Sequence, residues 1–237
     1  MPTVKQVLAS GRQQANPKRA KVNAWFFKTG KGQYGAGDVF IGLTVPQLRT
    51  LARQFRTLRL SEIAQLLKNR VHEFRLLALL IMVKQYASAQ TVGERKILFD
   101  FYCKNLRHVN NWDLVDLSAP NILGNWLADK PKALLYRLAG STSLWERRVA
   151  IVGTYAFIKH HQFSETCKIA ERLLDDPHDL IHKAVGWMLR EVGKCDSAVL
   201  EKFLRRYALR MPRTMLRYAI ERLPEPKRQF YLKQKIS

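Results

Sequence analysis

The sequence predicts an all-α fold, built as a curved solenoid of antiparallel helix pairs. Long stretches rich in Leu, Ala, Met, Lys and Arg contain no Pro, which is typical of helices. Cation-bearing helices centre on Arg75, Arg148 and Lys183, and a further helix around Trp112 fills the largest gap. The steps between these four centres, about 35 to 37 residues, are typical of stacked helix pairs. An irregular helical bundle with chance spacing is the alternative.

The boundaries of the individual helices follow from caps and breakers. Thr44-Val-Pro-Gln47 has the spacing of a capping box, with a proline in the first turn, and starts a helix. Long helices are then expected over 72–86, 145–160 and 180–194. Pro-containing segments mark boundaries between other helices: Asp129-Lys-Pro131, Asp175-Asp-Pro177, Met211-Pro212 and Pro224-Glu-Pro226.

Length and composition favour a single folded domain. The chain has 237 residues, of which 47% are apolar, so there is enough hydrophobic surface to fill a core. We expect one helical-repeat domain over residues 1–237 with a basic C-terminal end. The first residues lack the apolar centre of a signal peptide, and no apolar run is long enough to span a membrane. The three cysteines, at positions 103, 167 and 195, match no metal or redox pattern, so reduced thiols in the cytoplasm are expected.

The charge of the chain indicates a polyanionic partner. There are 41 Lys and Arg residues against 19 Asp and Glu residues, a formal net charge of +22. Such an excess repels itself and favours binding to nucleic acid, with an anionic membrane surface as the alternative. Because the basic residues are spread through helical segments, we favour a surface that follows a phosphate backbone over a disordered polybasic anchor.

A glycine-rich segment at residues 28–38 does not fit a nucleotide-binding motif. Gly30, Gly32 and Gly35 have the spacing of a dinucleotide fingerprint, but no strand precedes them and no helix starts among them. We interpret the segment as a basic loop.

The window 109–129 has an unusual charge, since it contains three Asp and no Lys or Arg. On a helix over 111–121, Leu114 and Leu117 would form the core stripe. Trp112 and Asp116 would share the opposite face. Asp113 would lie in the first turn, where it complements the helix dipole. Asp116 has no such role, and a carboxylate on a phosphate-binding face weakens binding. It is therefore either catalytic or paired with a neighbouring Arg.

Two later helices carry the other candidates. Trp187 lies off the apolar stripe of its helix, beside Lys183 and Arg190, where it would stack on a sugar or base or pack between repeats. Arg148 lies in a helix that is apolar almost all round, and there it requires an anion, either Asp116 or a DNA phosphate. Arg147 is a further candidate for DNA binding.

Other catalytic patterns are weak. His178 and His182 are four residues apart but have no third metal ligand at a useful spacing. No motif for a nucleophilic serine or cysteine is present. We expect no metal and no cofactor.

Four segments resemble the AlkD-like family of DNA alkylation-repair glycosylases. They are VFIGLTVPQLRTLARQF at 39–55, WDLVD at 112–116, LWERRVAI at 144–151 and IHKAVGWMLREVGK at 181–194. The resemblance runs from about residue 15 to 210. It implies a curved stack of HEAT-like helix pairs and the excision of cationic N3- and N7-alkylated purines, such as 3-methyladenine and 7-methylguanine, from duplex DNA.

The resemblance also implies roles for individual residues. Asp116 would be the catalytic carboxylate, Trp112 and Trp187 the aromatic walls of the cleft, and Arg148 the cation that anchors the DNA backbone. Phe26 stands where the family often has a Tyr, which implies a contact with DNA.

These features predict a monofunctional glycosylase of base excision repair. It would act as a monomer on double-stranded DNA in the cytoplasm, associated with the nucleoid of a bacterium, and would bind no membrane. Two other functions are considered: a non-catalytic helical-repeat protein that binds nucleic acid, and a scaffold for an acidic protein partner.

Overall fold

The computed structural model describes residues 1–233, which are almost entirely helical. The chain forms two compact units, Met1–Leu123 and Gly124–Ser237. The first contains α1 (Val4–Gln13), α2 (Pro17–Phe26), α3 (Val45–Gln54), α4 (Leu60–Leu67), α5 (His72–Ser88), α6 (Val92–Lys104), a 3₁₀ turn (Leu106–His108) and α7 (Trp112–Ser118). A π-helical turn (Pro120–Gly124) follows. The second contains α8 (Asn125–Leu127), α9 (Ala133–Ala139), α10 (Leu144–Gly153), α11 (Tyr155–Lys159), α12 (Ser164–Arg172), α13 (Asp179–Cys195), α14 (Ser197–Tyr207), α15 (Arg213–Ala219) and α16 (Glu225–Lys233).

The predicted all-α class is confirmed. Within residues 1–233 the β-type pairing consists of one isolated bridge, between Val39 and Val71. No helix in that range has both the length and the apolar character needed to cross a membrane. The expectation of one domain over residues 1–237 stays a prediction.

The core of the first unit is organised around α5. This helix is apolar on nearly all sides from Phe74 to Met82, and these residues are buried, as expected for a helix with neighbours on several faces. Helices α3, α4, α6 and α7 pack against it. Helix α3 begins with the predicted capping box, in which Thr44 accepts from the amide of Gln47 and the Gln47 side chain caps Thr44.

The core of the second unit is organised around α13, which contacts α10, α11, α12, α14 and α15. The predicted apolar stripe is buried along its whole length: Ile181, Val185, Met188, Leu189 and Val192. On the side facing α15, Gly186 allows close packing, because a Cβ added there would lie 2.5 Å from the carbonyl oxygen of Met215.

Two helix predictions need correction. The helix predicted over 145–160 is divided at Thr154, whose hydroxyl donates to the carbonyl of Ile151 at 2.7 Å. The helix predicted over 111–121 ends as an α-helix at Ser118, whose hydroxyl donates to the carbonyl of Leu114. Of the two residues predicted to form the core stripe, Leu114 is fully buried and Leu117 is half-buried.

The glycine-rich segment forms a series of turns, as expected from its lack of a flanking strand. Gly35 is required by packing, since an added Cβ would meet the carbonyl oxygen of Phe27 at 2.3 Å. The segment ends at Asp38, which is bonded to residues of α5. The three cysteines, which all fall in the described part of the chain, are free thiols.

Candidate functional site

Helix α7 carries Trp112 and Asp116, and its N-terminus is fixed by buried polar side chains. Asn111 is the N-cap and accepts from the amide of Trp112 at 2.8 Å. Its side-chain amide donates to the carboxylate of Asp38 at 3.3 Å. Asp113, in the first turn, accepts from the amide of Leu114 at 2.9 Å. Capping of this kind satisfies amides that have no partner inside the helix.

A buried histidine connects α7 to α5 and to the glycine-rich segment. His72 donates through Nε2 to Asp113 at 2.8 Å and through Nδ1 to Asp38 at 3.1 Å. Burial acts to lower the pKa of His72, but the hydrogen bond and the charge of Asp113, with the hydrogen bond to Asp38, raise it to about 9. His72 is therefore an imidazolium at neutral pH. The expectation that Asp113 only complements the helix dipole is incomplete, because this carboxylate also binds the imidazolium.

Arg75 completes the buried network rather than contributing to an open basic surface. Its guanidinium contacts Asp38 at 2.6 Å and donates to the carbonyls of Asn69 and Arg70. Burial acts to raise the pKa of Asp38, but the hydrogen bond from His72 and the charge of Arg75 lower it. Arg75 was selected from the sequence only as the centre of a cation-bearing helix, and with its side chain 6% exposed its charge is used inside this network.

The indole of Trp112 is held in place by a stack of rings. Phe27 stacks on Trp112 with a centroid distance of 5.1 Å and an interplanar angle of 12°. Phe40 stacks on Phe27 at 5.0 Å, and the ring of His72 stacks on Phe40 at 4.7 Å. Phe26, which is exposed, contacts Trp112 edge-on at 6.0 Å. The stack connects the buried imidazolium to Trp112 and leaves the orientation of this indole little freedom.

Asp116 lies one helical turn after Trp112 and is half-buried. The buried side of α7 faces Tyr102 of α6, whose hydroxyl is hydrogen-bonded to Ser118 at 2.9 Å. Burial raises the pKa of Tyr102, and the negative charge of Asp116 acts in the same direction, so the phenol stays neutral. Both ends of α7 are thus fixed to the core of the first unit, which gives Trp112 and Asp116 defined positions.

In the second unit, Arg148 connects α10 to α13. Its side chain is buried, as expected from the apolar surroundings in the sequence, and Nη1 donates to the carbonyl oxygen of Leu180 at 2.5 Å. This bond fixes the guanidinium at the N-terminal turn of α13. A role for Arg148 in binding a DNA phosphate stays a prediction.

Trp187 is half-buried on α13, and two residues that the sequence analysis did not select determine its setting. Its indole donates to Glu191 at 3.2 Å, and the ring of Tyr155 lies 6.0 Å away. Glu191 is in turn bound by Lys194 at 2.8 Å. The spacing of four residues between Trp187 and Glu191 is the sequence signal for their contact on one helix face.

The other cations predicted to bind DNA differ in how strongly they are engaged within the second unit. Arg147 contacts Asp176 at 2.5 Å and donates to two backbone carbonyls, so its guanidinium connects parts of the second unit. Arg190 is bound to Glu221 and is 19% exposed. Lys183 pairs with Asp179 at 2.7 Å and is 40% exposed, so it presents the most accessible charge of the three.

The sequence pattern did not identify Asp38, His72 and Asn111 as residues that support the site. Their partners lie 34 to 73 residues away in the chain, so no local pattern joins them. One signal was present: His72, Glu73 and Arg75 lie in the first turn of the helix, directly before its long apolar run. His178 caps α13, and the described residues contain no cluster of three or more His, Cys, Asp or Glu arranged to hold a metal ion.

The chain is similar to proteins of one known family. The model of a family described as DNA alkylation repair enzyme matches residues 7–223. The chain belongs to this family. No curated protein matches the sequence significantly.

Two solved structures have the same fold as this chain. One is described as a predicted DNA alkylation repair enzyme from Enterococcus faecalis, with a TM-score of 0.68, 19% identity, and coverage of 90% of this chain and 98% of that one. The other is AlkD2 from Streptococcus mutans, with a TM-score of 0.54, 16% identity, and coverage of 93% of this chain and 99% of that one. At these identities the similarity establishes the helical fold.

Proposed function

We propose that this protein is a monofunctional DNA glycosylase, which hydrolyses the N-glycosidic bond of cationic N3- and N7-alkylated purines in duplex DNA. The observation that carries the proposal is Asp116: a half-buried carboxylate, one turn from the fixed indole of Trp112, in a window with no Lys or Arg and in a chain of net charge +22. Membership of the DNA alkylation repair family supports alkylated bases as the class of lesion.

The chemistry requires little beyond such a carboxylate. Alkylation at N3 or N7 puts a positive charge on the purine, which then leaves as a neutral molecule and needs no general acid. When the bond between C1′ and the purine nitrogen breaks, positive charge develops on the sugar. Asp116 stabilises that charge, and water adds its oxygen to C1′ while releasing one proton. The products are the free alkylated base and an abasic site.

Other residues of each unit fit supporting roles. An indole face attracts a developing cation, which suits Trp112 and Trp187 for contact with the deoxyribose. Arg148 is fixed at α13 by its bond to Leu180, and a fixed guanidinium binds phosphate without losing side-chain freedom. Lys183 and the exposed Phe26 provide further contacts for the DNA backbone. Because Arg147 and Arg190 are engaged in ion pairs, we assign them weaker contributions to DNA binding.

The partner is double-stranded DNA with alkylated purines, and the protein would act on it as a monomer in the bacterial cytoplasm, at the nucleoid. Exchange of the purine for water is complete without a cofactor, so none is included in the proposal.

The test is Asp116→Asn, compared with Asp100→Asn as a matched control. Asp100 is also in the first unit, is 53% exposed and pairs with Lys96 on the surface, so the control makes the same change in charge. Asp116→Asn should lower the single-turnover release of 7-methylguanine by about 10²-fold or more, while duplex DNA binds as well or better. Asp100→Asn should release the base at the wild-type rate. Equal release by both variants would remove Asp116 from the mechanism, and no release by the wild type would leave a non-catalytic DNA-binding protein as the better explanation.

A further inference from the structure

Helix α2 presents an exposed tryptophan that the proposed excision site does not use. No residue of α2 is buried. Lys18, Lys21, Val22 and Trp25 are all exposed and recur at the spacing of one helix face. Trp25 is 80% exposed, and the neighbouring Val22 is 61% exposed. A large aromatic side chain left in water beside cations is a feature of binding surfaces.

A groove of about 490 Å³ lies beside Trp25, and its walls are ordered by hydrogen bonds. The chain turns back at Lys28, where the amide of Thr29 and its hydroxyl both bond to the carbonyl oxygen of Ala24. On the other side, the Gln33 side chain accepts from the amide of Gly30 at 2.9 Å. A groove of this volume, with an aromatic wall and a few fixed polar groups, has the size and character of a ligand site.

The N-terminal segment that leads into the groove carries only positive charges. Residues 1–37 contain seven cations and no Asp or Glu: Lys5, Arg12, Lys18, Arg19, Lys21, Lys28 and Lys31. Within residues 1–233, none of Lys18, Lys21 and Lys28 forms an ion pair. Their charge is therefore available to an anionic partner, and a chain of phosphates matches several of them at once.

The backbone at Lys28 is also unusual. Its φ angle is 55°, in the left-handed region where glycine is the usual residue after a helix. A lysine at this position directs a charge to the rim of the groove at some conformational cost, which is typical of positions that bind ligands.

We propose that the Trp25 face of α2 and the adjoining groove bind an unpaired segment of a DNA strand. A base stacks on Trp25, and Lys21 and Lys28 hold the neighbouring phosphates, because aromatic faces with interspersed cations bind single strands in this way. The next residue, Phe26, contacts Trp112, so the groove adjoins the side of the excision site that lies in the first unit. The inference goes beyond base excision, since it does not require Asp116 to be catalytic.

The test measures binding of the full-length protein to a dT₂₀ oligonucleotide by fluorescence anisotropy. Trp25→Ala should weaken binding about tenfold or more, whereas Trp25→Phe, which retains a stacking ring, should stay within about threefold of wild type. Phe230→Ala is the matched control, because Phe230 is an aromatic residue that is 60% exposed on α16, and it should leave the affinity unchanged. Lys28→Gly retains the turn and should reduce the slope of log affinity against log salt by about 1.

Two results would overturn this inference. One is wild-type affinity of Trp25→Ala for dT₂₀. The other is Trp25-dependent binding to vesicles containing phosphatidylglycerol that is stronger than binding to dT₂₀, since the surface would then be specific for a membrane. Release of 7-methylguanine from duplex DNA, measured with the wild-type protein, keeps the two proposals apart. Absence of release would refute excision and leave the dT₂₀ result standing.

Discussion

Deprotonation of His72 should destabilise the first unit in a defined pH window. The folded chain raises the pKa of this histidine to about 9, against about 6.5 in an unfolded chain. A raised pKa contributes stability in full below about pH 6.5 and loses it as the pH rises through about 9. At about 1.4 kcal/mol per pKa unit, the whole contribution is about 3 kcal/mol.

Urea unfolding at several pH values between 6 and 9.5 measures this loss. The wild-type free energy of unfolding should fall by about 3 kcal/mol more over this range than that of His72→Gln, which has no imidazole to titrate. Other groups, such as the Cys167 thiol whose pKa burial raises to about 11, titrate in both proteins and cancel in the comparison. Equal slopes for the two proteins would refute the view that a charged His72 binds Asp113 and Asp38.

Three further outcomes follow from the packing. Lys28→Gly should raise the free energy of unfolding by about 0.5–1 kcal/mol in thermal melts, because glycine adopts the φ of 55° without strain; a loss of stability would contradict this. Gly186→Ala should lower the free energy of unfolding by about 1–3 kcal/mol, since the new methyl group would meet the carbonyl oxygen of Met215 on α15. An unchanged melting temperature would show that α15 can shift without loss of stability. Iodoacetamide at pH 8 should modify the exposed Cys195 well before Cys167, as mass spectrometry of the peptides would show; equal rates would contradict the burial of Cys167.

The sequence was most informative for features that depend on residues within a single helix. The stripe of α13 could be predicted because residues three and four apart share a face, and the cap at Thr44 because its partner is three residues away. The division of the predicted 145–160 helix at Thr154 could not be predicted, because threonine also occurs within helices. Only the structure shows that its hydroxyl bonds to the carbonyl of Ile151.

The support of the candidate site depends on contacts that only the fold creates. His72 meets Asp38 and Asp113, which lie 34 and 41 residues away on opposite sides in the chain. The exposure of Trp25 was hidden for a related reason. A tryptophan in a helix usually packs in a core, and only the structure reveals that α2 buries no residue.

The most direct measurement is to identify what wild-type protein releases from duplex DNA whose purines carry a deuterated N-methyl group. Mass spectrometry should detect free 7-methylguanine and 3-methyladenine with the label intact, together with an uncleaved strand that contains abasic sites. A strand that regains unmodified guanine while the label is lost, or a labelled duplex that stays unchanged, would contradict excision.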